Sequence, residues 1–209
     1  MGMVRGEEEP ESWQETWFDV VVIASSAGGL KALRLLLEEL PAQLPAAIVI
    51  VQHLDPNHPS SLAGILARGC KLPVKQVEEG DEILPGRVYI APPGHHVLIT
   101  GQCTLALGRG DLVQFVRPSA DVLFKSAAKQ YGRRLIAVVL TGTGKDGSAG
   151  IKAVKEMGGF TIAQQQSNAE YSGMPRSAID TGAVDLVLPL EKIAVNIQAL
   201  IRSGEKYDH

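Results

Sequence analysis

Short β-branched runs recur along this 209-residue chain, most of them followed by a helical pattern, and that alternation constrains the fold more than any other feature. Residues 19–24 (DVVVIA), 47–51 (AIVIV) and 135–140 (LIAVVL) are almost continuously apolar, as strands are when both faces are covered. Between and after them, helices are predicted for LKALRLLLEEL behind Gly28-Gly29, for 59–68 with Gly69 beyond its end, and for 118–131, 148–157, 175–181 and 191–201. Further strands are predicted over 74–77, 160–163 and 183–188. Repeated strand–helix units imply an α/β fold of the doubly wound, Rossmann-like kind: a mostly parallel sheet with helices on both faces. Residues 80–110 are rich in Gly and Pro and carry the short runs RVYIA, HVLIT and CTLAL, which predict a β-hairpin region at one edge of that sheet.

The length suits one domain, placed at 18–202, with a flexible acidic tail over 1–17 and a C-terminal tail over 203–209. Trp13 and Trp17 are the apolar exceptions in the first tail. The net charge is −3, and five Glu against one Arg before residue 17 account for it, leaving a near-neutral body. That balance argues against nucleic acid as the main partner. No apolar run approaches the roughly 20 residues that span a bilayer, and the acidic start lacks the layout of a signal peptide. A cytoplasmic protein without membrane insertion is expected. Cys70 and Cys103 are too few for a disulfide framework and have no metal-ligand spacing, so two reduced, partly buried thiols are expected.

In open α/β sheets, ligands bind beyond the carboxyl ends of the strands, so the residues just after the buried runs carry the functional argument. The first run ends in Ser25-Ser26-Ala27-Gly28-Gly29 and leads straight into a helix, whose free N–H groups face the loop. Alone, this fits a phosphate loop, a nucleophilic serine or a tight structural turn; it matches neither GxGxxG, nor GxxxxGK[ST], nor GxSxG. The second run ends in Gln52-His53, where a hydrogen-bonded core histidine is the plainer reading. The third ends in Thr141-Gly142-Thr143-Gly144-Lys145-Asp146-Gly147, which suits an anion nest or a helix-capping aspartate equally well.

Together the three loops place a serine, a histidine and an aspartate on one edge of one sheet. That is the arrangement for acyl transfer: Ser26 as nucleophile, His53 as base and then acid, Asp146 orienting the imidazole. Backbone N–H groups of the glycine loops are the expected oxyanion donors. His95-His96 has no chelating spacing, and Asp121 and Asp180, on predicted helices, read as surface or capping groups. No cofactor and no metal are expected.

At these same residues the chain resembles the catalytic domain of the chemotaxis-receptor protein-glutamate methylesterases (CheB type). The motifs are VVIASSAGG, IVIVQHL, GDEILPGRVYIAPPGHH, RPSADVLFKSAA, VVLTGTGKDGSAG, TIAQ and GMPRSAI, in that order over about 18–202. The resemblance implies Ser26 rather than Ser25 as nucleophile, with His53 and Asp146 as partners and an oxyanion and substrate pocket at Ala27, Gly28, Thr143 and Gly144. Relatives usually carry threonine where this chain has Ala27 and methionine where it has Thr143. The implied reaction is hydrolysis of γ-glutamyl methyl esters on the cytoplasmic helices of chemoreceptors, with deamidation of receptor glutamine as a companion activity. Methylated chemoreceptor domains are thus the implied partners, along with a receiver domain or signalling kinase in trans, because only a short acidic stretch precedes the catalytic unit. Arg117 and Arg176 are candidates to attract acidic receptor helices. Two competing expectations remain: a non-enzymatic signalling adaptor on the same fold, motivated by Ala27 and Thr143, and a nucleotide site at the first loop.

Overall fold

The computed structural model describes residues 19–203 except 56, 57 and 59; Trp13, Trp17 and the two predicted tails lie outside the described residues, apart from the backbone of Ser203. The elements in chain order are β1 (Val20–Ser25), α1 (Gly29–Glu38), β2 (Ala47–Gln52), α2 (Leu62–Ala67), β3 (Val74–Gln76), β4 (Asp81–Glu82), β5 (Val88–Ile90), β6 (His96–Ile99) and β7 (Thr104–Gly108). They continue with α3 (Ala120–Tyr131), β8 (Leu135–Val139), α4 (Ser148–Glu156), β9 (Phe160–Gln164), α5 (Gly173–Ile179), β10 (Leu186–Leu188) and α6 (Leu190–Ser203). Seven strands form one parallel sheet in the order β10-β9-β8-β1-β2-β5-β3.

Strand residues alternate between two cores. Val20, Val22 and Ala24 face α3, α4 and α5 with Leu123, Phe124, Ile151 and Met174, whereas Val21 and Ile23 face α1, α2 and α6 with Leu33, Leu37, Leu66 and Ile197. Burial on both faces is what the unbroken apolar runs require, since a one-sided strand would alternate with polar residues. Hydrophobic burial at roughly 25 cal/mol per Å² makes these two layers the main stabilising term.

The Gly/Pro-rich middle resolves differently in detail from the sequence pattern. RVYIA does not belong to a hairpin: its β5 joins the main sheet in parallel between β2 and β3, and Val88, Tyr89 and Ile90 are all buried. Its flanking turns and short length hide an interior strand. The remaining strands form a separate three-stranded antiparallel sheet, β4-β7-β6, whose Val97, Ile99 and Leu105 pack into the core beside α3. The predicted helix over 59–68 is observed as the shorter α2, with Ser60 Oγ accepting from the Leu62 N–H at 3.1 Å.

Chain direction across the sheet reverses between β1 and β8. From β1 the chain moves through α1 to β2 on one side, and from β8 it moves through α4 to β9 on the other. The loops after β1 and β8 therefore diverge onto opposite faces and leave a crevice at the carboxyl edge, where doubly wound sheets bind ligands.

Candidate active site

Ser25 and Ser26 part company at the end of β1. Ser25 is fully buried and its Oγ donates to Gln52 Oε1 at 2.6 Å, which removes it from chemistry. Ser26, half-buried, is the first residue beyond the strand; its N–H donates to Thr141 O at 3.0 Å, fixing the β1 and β8 loops together. Gly28 takes φ +74° and caps α1, and a Cβ on Gly29 would lie 2.0 Å from Gln52 Oε1, so that turn requires its glycines.

His53 occupies the equivalent place after β2, and its N–H donates to Ser25 O at 3.1 Å. The Gln52 amide donates both to Ser26 O (2.8 Å) and to His53 O (3.0 Å), so one buried side chain locks the two backbones. The one signal of Gln52 in the sequence is a lone amide closing an otherwise apolar strand.

Asp146, 3% exposed, is bonded by His53 Nε2 at 2.8 Å. Its Oδ2 also accepts from the Ala120 N–H (2.6 Å), and its Oδ1 from Ser119 Oγ (2.7 Å) and the Asp121 N–H (3.1 Å). Burial pushes this carboxyl upward, but the hydrogen bonds from His53, Ser119, Ala120 and Asp121 outweigh it and hold the group below the ordinary carboxylate value. Asp146 is thus kept as an anion facing an imidazole. Ser119 is itself placed by His96, whose Nδ1 accepts from the Ser119 N–H at 3.2 Å while Nε2–H donates to Asp111 O at 2.9 Å.

Among the described residues, Ser26 Oγ makes no hydrogen bond to His53; the structure joins His53 to Asp146 and brings Ser26 beside them through the backbone. A Cβ on Gly142 would sit 2.9 Å from Ser26 Cβ and 2.3 Å from Met174 Sδ, so the serine stands directly against the loop that carries Asp146. Thr143 and Gly144 are exposed on that loop, with Gly144 at φ +85° and Gly173 pressed against it. The N–H groups of Ser26, Gly29 and Gly142 are taken by Thr141, Ser26 and Tyr171. Those of Ala27, Gly28, Thr143 and Gly144 have no acceptor among the described residues.

The other candidates separate clearly. Arg117 is tied to its own loop through Nη1, which donates to the carbonyls of Arg109 (3.3 Å) and Gly110 (2.8 Å). With Leu54, Leu112 and Phe115 it walls a groove of about 310 Å³ that opens on His53. Arg176 is exposed on α5, 3.7 Å from Asp180, and next to Ser177, whose Oγ donates to Gly144 O at 3.3 Å. His95 accepts from Arg109 Nε and donates from Nδ1 to Pro93 O. No cluster of three or more His, Cys, Asp or Glu that could hold a metal occurs among the described residues. Cys70 is half-buried, but Cys103 is exposed on the β6–β7 turn, where the antiparallel sheet leaves its tip uncovered. Asp121 is a capping group and not a surface one: it is 2% exposed, and its Oδ1 accepts from the Gly147 and Gly150 N–H groups at the start of α4, because α3 and α4 pack with their N-termini together.

Sheet order, crevice and the histidine–aspartate pair at its mouth define a doubly wound α/β enzyme domain. The chain belongs to the CheB methylesterase family, whose model matches residues 21–197. A relative from Leptospira interrogans is 45% identical over 177 residues, covering 85% of this chain and 92% of its own length. The protein-glutamate methylesterase/protein-glutamine glutaminase 2 of Anaeromyxobacter dehalogenans is 44% identical, with 88% of this chain matched to 54% of that protein. Among solved structures, the CheB methylesterase catalytic domain of Thermotoga maritima superposes with a TM-score of 0.85 at 41% identity, covering 88% of this chain and 99% of that one. Among the described residues, no helix is long and apolar enough to cross a membrane.

Proposed function

We propose that this chain is a serine esterase that hydrolyses γ-glutamyl methyl esters on chemoreceptor helices in the cytoplasm, and deamidates receptor glutamine by the same route. The observation that carries the reading is the Asp146 carboxylate, fed by three further donors and bonded at 2.8 Å to Nε2 of His53, which stands one residue beyond β2, the strand beside Ser26. With Nε2 committed to Asp146, Nδ1 is the nitrogen left for Ser26. It takes the hydroxyl proton as Oγ attacks the ester carbonyl, and Asp146 balances the imidazolium that forms. Serine–histidine hydrogen bonds are commonly long in unliganded sites and tighten around substrate.

The tetrahedral oxyanion is received by N–H groups drawn from the free set at Ala27, Gly28, Thr143 and Gly144, a single such donor being worth roughly 10²–10³ in rate. Because the donors are backbone groups, alanine at 27 and threonine at 143 leave them in place. Collapse expels methanol (ammonia for glutamine), protonated by His53. Water, activated by the same nitrogen, then attacks the acyl-enzyme, breaks the ester bond to Ser26 Oγ and releases the glutamate carboxylate.

A methyl group offers little to recognise, so selectivity rests on the surface around the crevice. Arg176, exposed beside the Gly144 loop, and Arg117, in the wall of the groove at His53, are the cations proposed to meet an acidic receptor helix. A receiver domain or signalling kinase is the corresponding regulatory partner. The test is release of labelled methanol from a methylated receptor fragment by wild type and by Ser26→Ala. Ser26→Ala should lose on the order of 10⁴–10⁶ in kcat. Undiminished release by that variant would remove Ser26, and with it this mechanism.

A further inference from the structure

The N-termini of α3 and α4 exchange carboxylates. Asp146, on the loop entering α4, accepts from the N–H groups of Ala120 and Asp121 at the start of α3. Asp121, in the first turn of α3, accepts on a single oxygen, Oδ1, from the N–H groups of Gly147 (3.0 Å) and Gly150 (2.7 Å) at the start of α4. Neither Ser119 nor Gly147, the residues at the cap positions, caps its own helix through a side chain. Unpaired N–H groups at a buried helix start must find acceptors, and here each helix finds them on the other. The exchange depends on close approach: a Cβ at Gly150 would stand 2.6 Å from Phe124 Cβ.

A neutral cap would satisfy the same α4 groups without placing a second carboxylate beside Asp146. Burial pushes the Asp121 carboxyl up; the Gly150 N–H draws it down, Asp146 raises it further, and Lys125 offsets part of that. What the second carboxylate secures is the joint between loop and helix. Gly147 sits at φ +95°, with no side chain to hold the peptide that links it to Asp146. The Gly147 N–H bond to Asp121 fixes the rotation of that peptide, and hence the direction of Asp146.

We propose that Asp121 is a positioning residue for the Ser26–His53–Asp146 site, clamping the start of α4 so that Asp146 and the Thr143–Gly144 loop keep their places against His53 and Ser26. This rests on the esterase reading above. Asp121 touches no substrate; it acts through Asp146 and its loop.

Three variants of the full chain test the clamp: Asp121→Ala, Asp121→Asn and, as a control for stability alone, Leu200→Ala in α6, buried in the opposite core. The readouts are kcat and KM on a methylated receptor fragment and on a small glutamyl methyl ester, the thermal midpoint, and the far-downfield proton resonance of the His53–Asp146 hydrogen bond. Asp121→Ala should lower kcat roughly ten- to hundredfold on both substrates with KM little changed, and should shift or abolish the resonance. Asp121→Asn, whose amide oxygen can accept both N–H groups, should recover most of the rate. Leu200→Ala should lower the midpoint while leaving kcat and the resonance as in wild type. Wild-type kcat with an unshifted resonance in folded Asp121→Ala would overturn the clamp, as would equal losses in Leu200→Ala. Should Asp121→Ala not fold, Asp121→Glu, which displaces the oxygen by one methylene, is read by the same criteria. If wild type hydrolyses no ester, it is the esterase reading that fails, and the resonance, which needs no turnover, decides the clamp by itself.

Discussion

Gln52 and Asp146 show how single buried polar side chains set this crevice. Gln52 is 6% exposed, accepts from Ser25 Oγ and donates to the carbonyls of Ser26 and His53. Gln52→Ala strands a buried hydroxyl and releases two loop carbonyls, a loss of about 1–3 kcal/mol. Urea unfolding should register that loss as a lower midpoint at unchanged slope, and kcat should fall with it, since Ser26 and His53 are no longer tied. At Asp146, exchange to Asn keeps the shape but presents an amide that is free to give His53 the wrong partner. A fall in kcat on the order of 10⁴ is expected, with the folded structure kept, the size such a change has in a serine protease triad. Steady-state hydrolysis of a small glutamyl ester measures it.

Packing between α3 and α4 decides a prediction that helix propensity alone would get wrong. Replacing a glycine inside a helix by alanine ordinarily favours the helix, by up to about 1 kcal/mol. At Gly150 the added methyl would meet Phe124 Cβ at 2.6 Å, close to the α3 backbone and inside a filled core, where overpacking costs about 1–3 kcal/mol. Gly150→Ala should therefore destabilise, and calorimetry should show a lower thermal midpoint; a rise would mean that α3 and α4 slide apart freely. The elements also differ in how plainly the sequence declared them. β1, β2 and β8 were legible because burial on both faces leaves an unbroken apolar run. β5 was not, since three buried residues between a Gly and a Pro-Pro turn look the same as a hairpin arm. The serine, histidine and aspartate were legible because each follows a strand the pattern had already located. Gln52, and the fact that Asp121 caps α4 rather than its own helix, escaped because those roles depend on partners distant in sequence.

For the molecule as a whole, the two neighbouring carboxylates set opposite trends of stability with pH. Asp146 is held below its ordinary value, so its contribution is fully present above about pH 3.9 and fades as pH falls through the lower folded value. Asp121 is raised above that value by burial. Its folded state holds the proton more tightly, so its contribution is present at low pH and is lost as pH rises through the raised value. Denaturant unfolding over roughly pH 3–7 should show the acid-side fall flattened in Asp146→Asn, and the decline on raising pH removed in Asp121→Asn.

The central position of β1 has a kinetic consequence. Val20 pairs with Ala47 on one side and with Leu135 on the other. The β1–α1–β2 unit is a local contact that closes a short loop, whereas the β1–β8 pairing closes one spanning most of the chain and forms late on entropic grounds. Ser26 and His53 belong to the early half, and Asp146 arrives with the late one. During refolding from denaturant, esterase activity should lag behind the first recovery of helical signal and return only with the slowest, global phase.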